Sequence, residues 1–87
     1  MEQFKAKIID PIGLHARPAS LLTKEASKYK SNISLLYKDR QANLKSIMNI
    51  MALGVKEGAE IEVKADGEDE KEAINAIKAV MVDNKII

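Results

Sequence analysis

The hydrophobic residues switch between two spacings along the chain, and this switching constrains the fold more than any other feature of the sequence. Over residues 4–8 apolar and polar side chains alternate, which predicts a strand that ends near Ile9. Over residues 19–29 apolar side chains recur every three or four positions, which predicts an amphipathic helix that begins near Ala16. Pro18 then lies in the first turn of this helix, where a missing N–H breaks no intrahelical hydrogen bond.

The rest of the chain repeats the same switching. Residues 33–37 and 42–44 alternate on either side of a tight connection and predict a β-hairpin. We expect Ser46 to cap a short helix through Leu53, which Gly54 ends in the left-handed conformation. Residues 61–65 predict a fourth strand. The apolar stripe over residues 73–81 predicts a last helix, at whose start Asp69 and Glu72 suit a capping box.

The resulting order is strand, helix, strand, strand, helix, strand, helix. The hairpin in the middle excludes an all-parallel doubly wound sheet and favours an α+β fold with a four-stranded antiparallel sheet. Because the strands alternate, one face of the sheet should be covered by helices and the other should meet solvent. A chain of 87 residues holds one modest core, so residues 1–87 are expected to form a single domain.

Composition excludes several classes of function. The chain has no cysteine, so neither disulfides nor thiolate metal sites are available, and we expect no metal and no cofactor. Its start lacks a signal-peptide core and no apolar run is long enough for a membrane span, which makes the cytoplasm the default location. With 14 basic and 13 acidic residues there is no basic excess for nucleic acid, and mixed charge with small size favours a monomer.

His15 is the only histidine, and it lies between a glycine-bearing turn and a helix start. A lone surface histidine is usually only a solvated side chain. Here, however, the unpaired amides of Ala16 and Arg17, the positive end of the helix dipole and the Arg17 guanidinium together favour an anion. The same positive field disfavours imidazolium and leaves a neutral ring nitrogen able to attack phosphorus. Phosphohistidine chemistry and passive anion binding both fit these residues.

The short helix over residues 44–53 is apolar almost all round, so it cannot bury every side chain. Ile50, Leu53 and, at its margin, Met51 are expected to reach the core, whereas Ile47 and Met48, in the first turn, are expected to be exposed for contact with partners. Ser46 is at least an N-cap, contributing about 1 kcal/mol. It is alternatively a kinase site, where phosphate would suit the helix start and reverse the local charge.

The segments GLHARPA at residues 13–19 and LKSIMNIMALG at residues 44–54 closely resemble the histidine-containing phosphocarrier (HPr) family of the bacterial sugar phosphotransferase system. The resemblance covers essentially the whole chain. It implies an open-faced β-sandwich in the order βαββαβα, with three helices on one face of the sheet. It also implies that His15 accepts a phosphoryl group on Nδ1 from enzyme I, which draws on phosphoenolpyruvate, and donates it to sugar-specific enzyme IIA proteins. Such a protein is a carrier rather than a free-standing enzyme.

The resemblance further implies roles for individual residues. Arg17 matches the arginine that steadies the phosphoryl group. Ser46 looks like a regulatory serine modified by an ATP-dependent HPr kinase/phosphorylase, whose product binds a catabolite-control repressor protein and accepts poorly from enzyme I. The positions that line the family's partner surface are Leu14, Ala16, Ser20, Lys24, Ile47, Met48 and Met51.

One departure and three alternatives accompany this interpretation. Position 12 of the family is usually a small polar residue near the histidine ring, but Ile12 cannot hydrogen-bond that ring. A purely regulatory relative, phosphorylated only on serine, would lack His15, and a carrier of the nitrogen-related branch would not be expected to keep the Ser46 segment. A small RNA-binding module lacks support because the chain has three aromatic residues and no basic GxxG loop.

Overall fold

The computed structural model describes all of residues 1–87 and contains four strands and three helices in the order βαββαβα. The strands are β1 (Glu2–Lys7), β2 (Asn32–Tyr37), β3 (Arg40–Asn43) and β4 (Glu60–Asp66). The helices are α1 (Ala16–Ala26), α2 (Ile47–Ala52) and α3 (Glu70–Asp83). The expected α+β fold, an open-faced sandwich with an antiparallel four-stranded sheet, is confirmed.

The sheet has the strand order β1-β4-β2-β3, and every neighbouring pair is antiparallel. Val63 on β4 lies opposite Phe4 of β1 on one side and Leu35 of β2 on the other. Inward-facing residues of β2 and β4 are buried, while the residues between them are more exposed. This alternation, read from the sequence, is what lets one face pack against the helices while the other stays open.

The core lies between the inner face of the sheet and the helices. Each large apolar side chain removed from water contributes about 1.5–3 kcal/mol, so burial of this layer is the main source of stability. No buried side-chain nitrogen or oxygen lacks a hydrogen-bond partner. The largest fully buried apolar side chains are Ile8, Pro18, Leu22, Ile33, Leu35, Leu44, Ile50, Val63, Ile77, Met81 and Ile86.

β1 and α1 end two to three residues earlier than the sequence predicts. β1 ends at Lys7 rather than near Ile9, whose amide donates to the Ile86 carbonyl at 2.8 Å, so the chain has already left β4. α1 ends at Ala26, and Tyr29 follows it in a tighter turn in which its own amide donates to the Ala26 carbonyl at 3.2 Å. Tyr29 still packs against the core, which explains why it fits the helical spacing.

The predicted capping box at the start of α3 is wrong. The Asp69 carboxylate accepts hydrogen bonds from the Lys30 amide at 2.8 Å, the Ser31 amide at 2.9 Å and the Ser31 hydroxyl, and caps no amide of α3. Donation by the Ser31 hydroxyl, with that of the Lys30 amide next, holds the pKa of Asp69 below its ordinary value. Glu70, rather than Glu72, accepts from the Gly67 amide at 3.2 Å. Asp69 therefore ties α3 to the connection before β2.

α2 begins after Ser46 as predicted and ends at Ala52, one residue before the predicted Leu53. The Ser46 hydroxyl oxygen accepts from the Asn49 amide at 3.3 Å, and Gly54 follows the helix with φ +66°. The Arg40 guanidinium donates to the Ala52 and Leu53 carbonyls at 2.7 and 3.3 Å, which places a cation at the negative end of the helix. None of the three helices has the length and apolarity needed to cross a membrane.

Candidate functional site

A tight loop connects β1 to α1. The Asp10 carboxylate accepts a hydrogen bond from the Ile12 amide at 2.9 Å, and the Asp10 carbonyl accepts from the Gly13 amide at 3.0 Å. Gly13 has φ +85°, and a Cβ there would overlap the Val55 carbonyl oxygen and lie 2.7 Å from Lys56 Cα. Only glycine allows this approach of the loop to the segment that follows α2.

Leu14 holds the loop from the other side. Its amide donates to the Val55 carbonyl at 3.0 Å, and its side chain is only 4% exposed within the core. The resemblance placed Leu14 on the partner surface, but the structure buries this side chain. Leu14 instead fixes the position from which the next residue, His15, leaves the loop.

His15 is the N-cap residue of α1, with an extended backbone at φ −84° and ψ −170°. Its carbonyl accepts from the Ala19 amide at 3.0 Å, which starts the helix. The imidazole caps no amide, and the side chain is 31% exposed. The ring therefore stands at the surface, directly before the positive end of an eleven-residue helix.

The first turn of α1 leaves two donors open. The amides of Ala16 and Arg17 hydrogen-bond to no other group of the chain, and Pro18 has no N–H to offer. Ala16 and Arg17 are both exposed, the Arg17 guanidinium forms no ion pair, and the first turn contains no acidic residue. Open amides, a helix dipole and an unpaired guanidinium two residues after the histidine favour the binding of a doubly charged anion.

Asp10 also belongs to this site, although no sequence pattern singled it out. Its Oδ1 atom lies 3.6 Å from His15 Nε2, which is too long for a hydrogen bond but short for a charge contact. The carboxylate lies beside Nε2, so the other ring nitrogen, Nδ1, has no carboxylate partner. No motif or period links residues 10 and 15; the signal is the Asp10-Pro11 turn, where aspartate often accepts from the amide two residues on.

The remaining candidate residues lie on α1 and α2. Ser20 and Lys24 are exposed one helical turn apart on α1, and Ile47, Met48 and Met51 are exposed on α2, with Met48 at 81%. Ile50 and Leu53 are buried, as predicted, whereas Met51 is 45% exposed and does not reach the core. α1 and α2 pack against each other, and the Thr23 hydroxyl donates to the Leu44 carbonyl at 3.1 Å, which fixes the start of α2 beside α1. Ile12, on the loop itself, is 70% exposed.

An open-faced βαββαβα sandwich that presents one histidine at the uncapped start of its first helix defines a class, the small phosphocarrier proteins. The family model described as "PTS HPr component phosphorylation site" matches residues 2–83. The chain therefore belongs to the HPr family of phosphocarriers of the phosphotransferase system.

Individual relatives agree with this assignment. The phosphocarrier protein HPr of Mycoplasma capricolum subsp. capricolum is 55% identical over 87 residues, which are 100% of this chain and 98% of the relative. A solved histidine-containing phosphocarrier protein of Mycoplasma has a TM-score of 0.97 at 55% identity, over 99% of this chain and 98% of that one. An HPr from Thermoanaerobacter tengcongensis has a TM-score of 0.90 at 41% identity, over 99% and 96%.

More distant relatives include dimers. The catabolite repression containing protein Crh of Bacillus subtilis, 38% identical over 100% of this chain and 99% of that one, has a TM-score of 0.75 and is described as a domain-swapped dimer.

Proposed function

We propose that this chain, acting as one domain over residues 1–87, accepts a phosphoryl group on His15 Nδ1 from enzyme I and donates it to enzyme IIA proteins. The observation that carries the proposal is the imidazole at the start of α1 beside the two open amides of Ala16 and Arg17. The protein works as a carrier in the cytoplasm, and in our proposal it is a monomer whose own chemistry is limited to forming and giving up one phosphohistidine.

The transfer step uses the groups of this site in defined roles. The lone pair of Nδ1 attacks phosphorus, and the bond between phosphorus and the donor breaks, with its electron pair remaining on the donor. Negative charge on the phosphoryl oxygens is then stabilised by the open amides and by the Arg17 guanidinium. The two open amides are held by the helix backbone before the reaction, so they need little reorganisation when the phosphoryl group arrives.

Partners are proposed to contact the exposed residues around this site. Methionine side chains adapt their shape to different surfaces, which suits a carrier that must meet both a donor and several acceptors. Lys24 adds a positive charge on α1. Leu14 is left out of this surface because it is buried. The proposed contact residues are Ala16, Ser20, Lys24, Ile47, Met48 and Met51.

Ser46 is proposed as a regulatory site for an ATP-dependent HPr kinase/phosphorylase, with the phosphoserine form recognised by a catabolite-control repressor protein. Its hydroxyl oxygen already accepts from the Asn49 amide, so a phosphate there would meet the N-terminal end of α2 without displacing a core side chain. The added charge of about −1.5 to −2 would lie beside the exposed Ile47 and Met48. Acidic partner surfaces would then be repelled from this face of the protein.

The carrier proposal is tested by incubating the protein with enzyme I and phosphoenolpyruvate and measuring its intact mass. We expect the mass of one phosphoryl group, labile in acid, on the wild type and none on His15→Ala. Ser46→Ala serves as a matched control and should accept the group normally. An unmodified wild type under conditions that phosphorylate another HPr would refute the proposal.

The regulatory proposal needs a separate experiment with ATP and a purified HPr kinase/phosphorylase. The wild type and His15→Ala should both gain an acid-stable phosphate, because the modified residue is Ser46. Ser46→Ala should gain none. Equal labelling of Ser46→Ala and the wild type would contradict the assignment.

A further inference from the structure

Asp10 has one ionic neighbour in the structure, the imidazole of His15. Its Oδ1 atom is held by the Ile12 amide at 2.9 Å while it faces His15 Nε2 at 3.6 Å, and the Asp10 side chain is only 19% exposed. No lysine or arginine lies within ion-pair distance of this carboxylate. A fixed, poorly solvated carboxylate without a permanent cation is therefore aimed at one particular nitrogen of the reactive ring.

We propose that Asp10 is the positioning residue of the phosphohistidine site, and this inference rests on the proposed carrier function. Its carboxylate keeps the ring proton on Nε2, which leaves the lone pair on Nδ1 for attack on phosphorus. It also offsets the positive charge that the ring bears once Nδ1 carries the phosphoryl group. Asp10 thereby orients the His15 ring through its charge, whereas the Ile12 side chain cannot orient the ring because it forms no hydrogen bond.

The charge on the His15 ring changes during phosphoryl transfer, and the Asp10 carboxylate acts on that change. When Nδ1 forms its bond to phosphorus and Nε2 keeps its proton, the ring becomes a cation, and the electron pair of the broken bond stays on the donor. When the phosphoryl group leaves for an acceptor, the N–P electron pair returns to Nδ1 and the ring is neutral again. A negative charge at 3.6 Å therefore favours the protonated phospho-ring, the form with the better leaving group.

Other charged groups near the loop do not replace Asp10. Arg17 follows His15 on α1, Lys56 passes behind Gly13, and the C-terminal carboxylate lies one residue beyond Ile86, whose carbonyl accepts from Ile9. The C-terminal carboxylate forms no ion pair with His15, and Asp10 is the sole carboxylate within 4 Å of a ring nitrogen. Substitutions of Asp10 leave all three groups unchanged, so differences between variants report on Asp10.

Asp10→Asn is the central variant because it keeps an oxygen for the Ile12 amide and removes only the charge. The first measurement is ¹⁵N NMR of the unphosphorylated ring at a pH where it is neutral. We expect the population with the proton on Nε2 to fall from wild type to Asp10→Asn and further in Asp10→Ala, with Asp10→Glu restoring part of it. Asp66→Asn, at the far end of β4, is the matched control and should resemble the wild type.

The second measurement is the titration of the phosphorylated protein by NMR, together with the pH profile of its hydrolysis. At a given pH, the ratio of protonated to neutral phospho-ring should be lower in Asp10→Asn by roughly two- to fivefold, the size expected for a partly exposed ion pair. Identical tautomer populations and titrations in wild type and Asp10→Asn would overturn the proposal, and so would an effect confined to Asp10→Ala. The tautomer measurement needs no phosphorylation, so it remains decisive even if the wild type accepts no phosphoryl group and the carrier proposal itself fails.

Discussion

Replacing Gly13 by alanine tests how the loop before His15 is held. Gly13 combines φ +85° with an approach so close that a Cβ would overlap the Val55 carbonyl oxygen and lie 2.7 Å from Lys56 Cα. Both obstacles are backbone atoms, which cannot rotate away as a side chain would. The loop must move, and the Leu14 amide then loses its 3.0 Å hydrogen bond to the same carbonyl.

The expected cost has separable parts. An alanine in the left-handed region costs about 1–2 kcal/mol. Forcing one extra carbon against well-packed atoms costs about 1–3 kcal/mol, and a lost hydrogen bond about 1 kcal/mol. Gly58 is a matched control, because its φ of +86° is nearly the same but a Cβ there meets nothing within 4 Å. Gly58→Ala should therefore show only the first cost, and Gly13→Ala should be roughly 2–4 kcal/mol less stable than Gly58→Ala.

Urea unfolding of the two variants and the wild type, followed by circular dichroism, measures this difference directly. Phosphoryl acceptance should also fall in Gly13→Ala but not in Gly58→Ala, because moving the loop moves His15 away from the amides of α1. If Gly13→Ala and Gly58→Ala were equally destabilised, the close approach of Gly13 to the backbone of Val55 and Lys56 would make no contribution to stability. Our account of how the loop positions His15 would then be wrong.

Three further predictions concern the helix starts. Ser46→Ala should lower the free energy of unfolding by about 0.5–1 kcal/mol in urea titrations, since the cap bond to Asn49 is lost, while a variant as stable as the wild type would argue against the cap. Asp69→Asn should lower the free energy of unfolding most near neutral pH and progressively less in acid. The reason is that the folded-state pKa of Asp69 is lowered, so the carboxylate stabilises the fold fully above its unfolded-state pKa, and this stabilisation is lost as pH falls through the folded-state pKa. Urea titrations across a pH series measure this, and a difference independent of pH would contradict it. His15→Asn should raise stability by about 0.5–1 kcal/mol relative to His15→Ala, because asparagine caps the open amides, while both variants accept no phosphoryl group by intact mass.

Much of the fold could be predicted because its determinants are local. The period of the apolar residues depends only on which face of a strand or helix is buried, so all seven elements and their order follow from the sequence. Ser46 and Gly54 act on amides and dihedral angles within a few residues, and both predictions hold. Asp69 shows the limit of such reasoning. A carboxylate beside a helix start is expected to cap it, but the Lys30 and Ser31 amides, brought from far along the chain, take the bonds instead.

The site shows the same limit at two positions. Leu14 directly precedes the surface residue His15, but its own burial accompanies the contact of its amide with the Val55 carbonyl, more than forty residues away, and no local pattern predicts that contact. Asp10 comes close to His15 because a turn folds the chain back. The spacing of five positions between them matches neither the helix period nor the strand period, so no regular pattern predicts the contact.

The three helix starts also explain why a reactive site can exist in so small a protein. α2 has a serine cap and α3 has acidic residues in its first turn, so each satisfies or offsets its own terminal charge. α1 has neither: its cap is a histidine that bonds no amide, and its third residue is Pro18, which removes one donor and leaves the two that a phosphate can use. Leaving these amides open forgoes about 1 kcal/mol of capping. The start of α1 is therefore less stable than a capped helix start but is able to bind an anion. Leu14 and Pro18 are buried on either side of His15 and anchor this segment to the core.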